Sequence, residues 1–415
     1  MNRQAPFIGA IADDLTGATD LALMLASEGM TVKQVVGVPG GKVDLGGANA
    51  VVVALKSRTI PAQDAVAESV NSAKALLAAG ARQLFFKYCS TFDSTDKGNI
   101  GPVIDALMEL SGQDRTLACP AFPTNKRTVY KGHLFVGDEL LCDSPMRDHP
   151  LTPMQDANLL NILARQTQHA ISLVDIETIR GPNLAETLSS LKGIAITDAI
   201  NDSDLRIIGA AVKDFRLITG GSGLALGLPA NFGFTPADRP SPPPAPPGRS
   251  VVLAGSCSAA TRTQIETALA AGLAGFRLDP IAIAEGRLSL ADVRQFASDS
   301  STIPLIYASA APQEVANTQA LLGQERAGKV VEDFLASLAS QLVEDGFTRF
   351  IVAGGESSGA VIAGLGIKTL SVGKPISPGV PWMHADDGGP PLALALKSGN
   401  FGSEDIFVTA WDKLA

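Results

Sequence analysis

Short apolar runs that end in polar or glycine-rich turns recur along the chain, and helical spacing follows several of them. In the first half this pattern predicts strands at Phe7–Ala12, Val32–Val38, Ala50–Leu55, Gln83–Lys87, Ile171–Val174, Gly193–Thr197 and Phe215–Thr219. It also predicts a helix over Ala18–Ser27 and an amphipathic helix over Ala62–Ala79. Strands that alternate with helices are typical of a parallel sheet covered by helices.

The second half of the chain repeats this organisation after a proline-rich stretch. Seven prolines between Pro236 and Pro247 predict an extended linker at 236–248, which separates a first domain at 1–235 from a second at 249–415. The pattern then predicts strands at Ser250–Ala254, Ile303–Ala308 and Arg349–Ala353, and helices up to Ala270, over Arg326–Asp345 and over Ala360–Leu365. We therefore expect an α/β protein of two domains, each a mostly parallel or mixed sheet flanked by helices, with the active site in the cleft between them.

Composition and charge narrow the range of partners. The chain of 415 residues is too long for one ordinary core, and its 46% hydrophobic and 5% aromatic residues suit tightly packed α/β layers. The net charge of −9 argues against nucleic acid, whose phosphates need a basic face. The four cysteines are far apart and give no zinc or disulfide pattern, and we find neither a signal peptide nor an apolar run that could span a membrane. We expect a cytoplasmic protein with small-molecule partners, and homo-oligomerisation stays open.

Charged and polar residues follow the predicted strands of the first domain. Asp13 and Asp14 come directly after the first strand, at the strand end where open α/β sheets bind ligands. The alternative is that Asp14 or Thr16 only caps the helix that follows. Lys87 precedes a hydroxyl-rich loop at 88–97, which either holds a polyol or an acid or is an ordinary solvated loop. Basic residues and an Asn cluster at 124–133, where bidentate Arg contacts could clamp a carboxylate.

Glycine and serine turns end the strands of the second domain. The main one is Gly354–Gly359, which contains three glycines, two serines and one glutamate. Glycine lets a ligand approach the main chain, and the first turn of a helix offers free N–H groups that suit phosphate. Similar turns stand at Gly255–Ser258 and Lys397–Gly402. If they converge at one edge of a sheet they form a nucleotide pocket, although no GxxxxGK[ST] occurs and no GxGxxG follows the first strand.

Together these motifs resemble the four-carbon acid sugar kinase family. The matching segments are Ile11–Ala18, Lys87–Thr95, Gly255–Ser258, Gly354–Ala360 and Lys397–Gly402. Longer segments at Pro120–Asn125, Gly132–Val136, Ser144–Met154 and Thr219–Pro229 are similar to its 3-oxo-tetronate kinase branch. Ser357 stands where the family usually has Thr, so the hydroxyl is retained. The resemblance covers both domains.

The resemblance implies an ATP-dependent kinase that phosphorylates the C4 hydroxyl of a four-carbon sugar acid, with the acid on the first domain and ATP on the second. We expect Asp13 or Asp14 to be the catalytic base. The expected substrate contacts are Thr16, Lys87, Ser90, Thr91, Asp93, Asn125 and Arg127. The expected ATP contacts are Ser256, Ser258, Gly354, Gly355, Glu356, Ser357, Ser358, Gly359, Gly399, Asn400 and Gly402. Mg²⁺ is expected to bridge the phosphates, and its protein ligands are unknown; Glu356 is either one of them or an acid that favours the helix dipole.

Three other functions stay open at this point. D-threonate or D-erythronate 4-kinase activity is the main rival for the substrate. A metal-dependent aldolase or isomerase with Asp13, Asp14 and His149 at the metal is a rival of another class, and ATP-independent turnover would indicate it. A non-catalytic nucleotide or sugar-acid sensor would bind its ligand without forming a phosphorylated product.

Overall fold

The computed structural model describes residues 5–40, 44–45, 47–149, 152–239 and 241–414. Pro150 and Leu151 of the segment Ser144–Met154, and Pro240 of the linker, therefore lie outside the described residues. The chain divides into two compact units, Met1–Pro240 and Ser241–Ala415. The linker limits at 236 and 248, and the position of the active site in a cleft between the domains, stay predictions.

The first unit is built on a parallel sheet. Its strands are β1 (Ile8–Ala12), β2 (Val32–Val36), β3 (Ala50–Ala54), β4 (Gln83–Lys87), β5 (Arg115–Cys119), β6 (Arg127–Tyr130), β7 (His133–Val136), β8 (Glu139–Leu140), β9 (Ile171–Val174), β10 (Gly193–Thr197) and β11 (Leu217–Gly220). Its α-helices are α1 (Leu15–Ser27), α2 (Ala62–Ala78), α3 (Ile100–Ser111), α4 (Leu159–Ala164), α5 (Ile176–Ile179), α6 (Leu184–Ser190) and α7 (Asp202–Ala211). Short 3₁₀ helices occupy Pro123–Asn125, Pro145–Asp148, Ser222–Gly227, Pro229–Phe232 and Pro236–Asp238.

The order of the parallel strands is β2-β3-β1-β4-β11-β5-β10-β9, and β6, β7 and β8 form a separate antiparallel sheet. Every residue of β1, β3 and β4 is buried, as expected for parallel strands covered on both faces. After β1 the chain forms β2 and β3 on one side of β1 and then crosses to form β4 on its other side. The carboxyl end of β1 is therefore a switch point, where ligands bind in folds of this class.

The second unit has a mixed sheet. Its strands are β12 (Arg249–Ala254), β13 (Ala274–Arg277), β14 (Pro304–Tyr307), β15 (Phe347–Ala353), β16 (Thr369–Ser377), β17 (Val380–Ala385) and β18 (Ala393–Lys397). Its α-helices are α8 (Ala259–Ala270), α9 (Pro280–Ala284), α10 (Leu290–Asp299), α11 (Pro312–Leu322), α12 (Gln324–Glu344), α13 (Gly355–Gly364) and α14 (Ile406–Thr409), and a 3₁₀ helix follows at Ala410–Lys413. The predicted α/β architecture, with a parallel sheet in one unit and a mixed sheet in the other, is confirmed.

In this sheet the strands β13-β14-β12-β15-β18 are parallel, and β17 and β16 continue it antiparallel. After β12 the chain forms β13 and β14 on one side of β12 and then crosses to form β15 on its other side. The carboxyl end of β12 is therefore a second switch point. Trp382 of β17 is fully buried in the core of this unit, and its Nε1 donates to the main-chain oxygen of Ala410 at 3.0 Å. Among the described residues, no helix is both long enough and apolar enough to cross a membrane.

Helix α1 begins at Leu15, three residues before the predicted Ala18, and α13 differs more. The expected start was Ala360, and α13 begins at Gly355, so most of the predicted glycine loop is helix. Gly354 makes the turn alone, with a φ of +121° that residues with a side chain rarely adopt. The N–H of Ser358 then donates to the main-chain oxygen of Gly354 at 2.8 Å. The free N–H groups of this helix are therefore those of its first residues.

Candidate active site

Two carboxylates share one guanidinium at the carboxyl end of β1. Arg58, in the loop after β3, binds Asp13 in a bidentate pair, from Nε to Oδ2 at 2.9 Å and from Nη2 to Oδ1 at 2.8 Å. The same Nη2 lies 2.9 Å from Oδ1 of Asp14. The cluster forms because β1 and β3 are parallel neighbours, so their carboxyl ends meet.

The two aspartates differ in access and in pKa. The Asp13 side chain is 7% exposed and that of Asp14 is 27% exposed. Burial raises the pKa of Asp13 despite the charge of Arg58. Burial acts in the same direction on Asp14, but the positive charges of Arg58 and Lys87 outweigh it and hold the pKa of Asp14 below its ordinary value. Asp14 is therefore the more accessible and the more firmly ionised carboxylate.

Asp14 also caps helix α1. Its Oδ1 accepts from the N–H of Gly17 at 2.9 Å, and its Oδ2 accepts from the hydroxyl of Thr16 at 3.0 Å. The capping alternative considered for Asp14 is thus a structural fact, and it does not exclude contact with a ligand. The hydroxyl of Thr16 is directed at Asp14.

Lys87 is buried beneath the first turn of α1. Its Nζ donates to the main-chain oxygen of Tyr88 at 2.8 Å, and a Cβ built on Gly17 would lie 2.9 Å from it. Asp20, on the same helix, is also buried; burial raises its pKa, and its Oδ1 has no hydrogen-bond partner among the described residues. The charge of Lys87 therefore acts on two carboxylates, that of Asp14, which caps α1, and that of Asp20 within α1.

The loop after β4 contributes a third carboxylate to the cluster. Asp93 lies 3.8 Å from Arg58, and its Oδ1 accepts from the Thr91 hydroxyl at 2.5 Å. Phe92 between them has a φ of +53° and is fully buried, packed edge-on against Tyr88. Ser90 is half-buried in the same loop. The loop is thus fixed by its aromatic core, which argues against an ordinary solvated loop.

Two predicted substrate contacts are not joined to this cluster. Arg127 begins β6, and its Nη1 donates to the main-chain oxygen of Asn125. In the part of the chain that the structure describes, neither residue shares a hydrogen bond or an ion pair with Asp13, Asp14 or Arg58. Their assignment to the substrate stays a prediction.

The three predicted turns of the second unit converge. We call Gly255–Ser258, Gly354–Ser357 and Lys397–Gly402 the turn cluster; they follow the neighbouring strands β12, β15 and β18. A Cβ built on Gly255 would lie 2.1 Å from Oγ of Ser357, and one built on Gly399 would lie 2.4 Å from Oγ of Ser256. Only glycine allows these approaches. The main chains of the turns therefore form one surface at the switch point of this sheet.

The serines of the turn cluster fix it internally. Ser258 caps α8 by accepting from the N–H of Thr261 at 3.2 Å, and its hydroxyl donates to the main-chain oxygen of Gly399 at 2.8 Å. Ser358 faces away from this surface, with its buried hydroxyl 3.4 Å from the main-chain oxygen of Val352. Gly359 follows it inside α13. Asn400 is exposed at the tip of the third turn, and Gly402 has a φ of +92°.

A cavity of about 700 Å³ opens from the turn cluster. Gly255, Ser256, Gly354–Ser357 and Gly399 line one part of it. Another part of its wall comes from α9, α11, α12 and the residues just before α9. There the apolar side chains of Leu278, Pro280, Ile281, Val315, Ala327 and Val331 stand among polar ones, including Glu314, Asn317, Thr318, Gln319, Gln324 and Glu332. A cavity of this size, with glycine turns on one side and apolar side chains among the polar ones on the other, suits a nucleotide-sized ligand. Within the described residues, no group of three or more His, Cys, Asp or Glu side chains could hold a metal ion by itself.

Each half of the chain matches a known domain family. Residues 8–228 match the sugar-binding N-terminal domain model, and residues 251–407 match the nucleotide-binding C-terminal domain model. A 3-oxo-tetronate kinase from Pseudomonas fluorescens is 49% identical over 99% of this chain and 97% of that protein. A 3-oxo-tetronate kinase from Burkholderia multivorans is 51% identical over 97% of this chain and 96% of that protein.

The chain belongs to the 3-oxo-tetronate kinase family. The resemblance that the sequence motifs indicate is thereby confirmed. Two solved structures share the fold. A Salmonella typhimurium protein, called a tRNA synthase, has a TM-score of 0.87 and 42% identity, and the match covers 97% of this chain and 98% of that one. A Haemophilus influenzae protein has a TM-score of 0.79 and 38% identity, and the match covers 98% of this chain and 100% of that one.

Proposed function

We propose that the protein is an ATP-dependent kinase that transfers the γ-phosphoryl group to the C4 hydroxyl of a 3-oxo-tetronate. The observation that carries this proposal is identity near 50% to 3-oxo-tetronate kinases along almost the whole chain. The two sites agree with it. The first unit, in the range matched by a sugar-binding model, has a carboxylate cluster, and the second, in the range matched by a nucleotide-binding model, has glycine turns beside a cavity.

For the first unit we propose that Asp14 is the base and that Asp13 holds Arg58 in place. The Asp14 side chain is 27% exposed, whereas that of Asp13 is 7% exposed and held by Arg58 in a bidentate pair. Phosphoryl transfer passes through a loose transition state, so an ionised carboxylate that aligns the hydroxyl and takes its proton late is sufficient. Thr91 and Asp93, in the same cluster, are the best placed of the predicted hydroxyl contacts.

For the second unit we propose that the phosphates lie on the turn cluster and that the base lies against the apolar side chains of the cavity. The N–H groups of Gly355 and Ser357 belong to the first turn of α13, where the positive end of the helix dipole suits an anion. Leu278, Ile281 and Val331 offer an apolar surface of the kind that a purine ring requires.

Mg²⁺ is part of the proposal as a partner of the nucleotide. Magnesium usually keeps several waters and binds through phosphates and one or two carboxylates. The second unit fits this mode, because a single carboxylate, Glu356, stands in the first turn of α13 at the turn cluster. The ion would neutralise charge on the phosphates, while the main-chain N–H groups orient them.

The proposal is tested by measuring ADP release with four-carbon sugar acids that carry or lack a 3-keto group. The expected result is ATP-dependent turnover with 3-oxo-tetronates and much lower kcat/KM with D-threonate and D-erythronate. A preference for the latter acids would replace the proposed substrate. Turnover without ATP would indicate an aldolase or isomerase, and ATP binding without any phosphorylated product would indicate a sensor; either result would overturn the kinase proposal.

Gly355→Val is expected to weaken ATP binding. Gly355 is the first residue of α13 and lines the cavity, so a branched side chain there occupies the space proposed for a phosphate. We expect the Kd for ATP, measured by calorimetry, to rise about tenfold or more. Gly389→Val is the matched control, because a Cβ on Gly389 meets only Asp387 Oδ1 at 3.5 Å. An unchanged affinity of Gly355→Val would remove this helix end from the phosphate site.

Acidification is expected to reduce kcat/KM at a pH above 3.8, the ordinary value for aspartate, because burial raises the pKa of Asp13. Once Asp13 is protonated it no longer holds Arg58, which is then left to Asp14. Asp14 stays ionised over this range because its own pKa lies below 3.8. The measurement is a pH profile of kcat/KM, with circular dichroism to confirm that the fold persists. An acid limb at or below pH 3.8 would contradict the role of Asp13.

A further inference from the structure

Lys397, the last residue of β18, makes hydrogen bonds that connect the three turns of the turn cluster. Its main-chain oxygen accepts from the N–H of Gly354 at 2.9 Å. Its Nζ lies 3.2 Å from Oγ1 of Thr261 and 3.2 Å from the main-chain oxygen of Gly399. The side chain is fully buried, with Nζ 5.8 Å from the centre of the Phe407 ring. Lys397 thus contacts the second and third turns directly and reaches the first through Thr261, which binds Ser258.

No carboxylate neutralises this ammonium in the part of the chain that the structure describes. The charged or titratable side chains on the elements around it are Arg262 and Glu266 on α8, Glu356 on α13, Arg349 on β15, His384 on β17 and Asp405 at the start of α14. None of them forms an ion pair with Lys397. Burial alone lowers the pKa of Lys397 to about 7. A buried cation without a counter-charge is costly, so its charged form depends on an anion from elsewhere.

The one basic side chain among the described residues that line the cavity in front of the turn cluster is Arg277. The charged lining of the cavity consists of the carboxylates Asp279, Glu314, Glu332 and Glu356 and the guanidinium of Arg277, which pairs with Glu314. A polyphosphate there would be helped by the positive end of α13. Gly399, whose main-chain oxygen binds Lys397, lines the same cavity. The ammonium is therefore separated from the cavity, where an anion would lie, by the main chain of Gly399.

We propose that Lys397 is a positioning residue whose ammonium is the counter-charge for the nucleotide polyphosphate, and that nucleotide binding draws a proton onto its amine. This inference rests on the proposed function, because it takes the turn cluster as the phosphate site. In the free protein at neutral pH, part of the molecules carry a neutral amine. The bound anion favours the charged form, so the pKa rises and the amine takes a proton from solvent. The same proton stabilises the hydrogen bonds that hold the third turn.

Proton uptake is measured by titrating ATP into the protein by calorimetry in buffers that differ in ionisation enthalpy. At about pH 8, where ATP itself is fully ionised, the wild type is expected to take up about half a proton or more per ATP bound. At about pH 6 the contribution of Lys397 should nearly vanish, because an amine with a pKa of about 7 is already protonated there. Lys397→Met should remove the uptake at the higher pH and raise the Kd for ATP about tenfold.

Lys329→Met is the matched control, since Lys329 is an exposed lysine of the same unit that pairs with Asp333. It should keep the wild-type proton uptake and affinity. Equal proton uptake by the wild type and Lys397→Met, or unchanged affinity of that variant, would overturn the proposal. If Lys397→Met does not fold, the wild type alone tests the proposal. A binding enthalpy for ATP that does not change with the buffer at about pH 8 would then overturn it. Absence of any ATP binding would instead contradict the proposed function.

Discussion

Asp14→Asn is expected to lower kcat by about 10²- to 10⁴-fold, the usual loss when a general base is removed, while the affinity for ATP stays unchanged. The substitution separates the two roles of this residue. Asn is as good a helix cap as Asp, so the hydrogen bond from the N–H of Gly17 is retained. What is lost is the charge that would align the substrate hydroxyl and accept its proton. The measurement is steady-state turnover together with calorimetric ATP binding.

The matched control for this variant is Asp114→Asn. Asp114 is an exposed aspartate of the same unit, paired with the neighbouring Arg115, and its change should leave kcat within a factor of about two. Near-normal turnover of Asp14→Asn would reduce Asp14 to a helix cap and leave Asp13 as the remaining candidate. A loss of ATP affinity equal to the loss of turnover would indicate a disturbed fold, which circular dichroism would reveal.

Much of the fold follows from the apolar pattern alone. The predicted strand limits Gln83–Lys87, Ile171–Val174 and Gly193–Thr197 agree with the structure residue for residue. These runs are short, apolar and bounded by turns, so burial and strand formation coincide. The hairpin of β16 and β17 has no such signal, because Gly373, Lys374 and Pro375 interrupt its apolar residues. Its place is set by pairing with β18, which is information from outside the segment.

Some residues of the candidate site can likewise be predicted from the sequence, and others cannot. Asp13, Asp14 and the glycine turns stand at strand ends, and parallel strands bring their ends together, so position in the sequence is enough to find them. Arg58 lies in none of the recognised motifs, and Lys397 begins the turn Lys397–Gly402, which draws attention to its glycines and not to the ammonium. The importance of these two basic residues comes from partners distant in sequence, Asp13 for Arg58 and Thr261 for Lys397. Such residues become visible only when the sheet order is known.

Arg58→Met is expected to destabilise the first unit by about 3 kcal/mol, because it leaves the carboxylates of Asp13 and Asp14 close together and without their shared cation. The guanidinium is only 22% exposed, so solvent screens little of this loss. Urea unfolding resolves the two units, since both tryptophans, Trp382 and Trp411, belong to the second. The far-UV signal should show an earlier transition while the tryptophan fluorescence transition stays in place.

Arg165→Met supplies the control. Among the described residues Arg165 pairs with Asp96 and Asp156, and its own side chain is 48% exposed, so its removal should cost no more than about 0.5 kcal/mol. The double variant Asp13→Asn/Arg58→Met distinguishes a charge effect from lost packing. If the cost arises from the unpaired Asp13 carboxylate, the double variant should be more stable than the sum of the single changes predicts, by about 1–2 kcal/mol. Additive costs would mean that Arg58 contributes through the packing of its side chain. Asp13 would then owe its position to the main chain of β1 and not to the guanidinium.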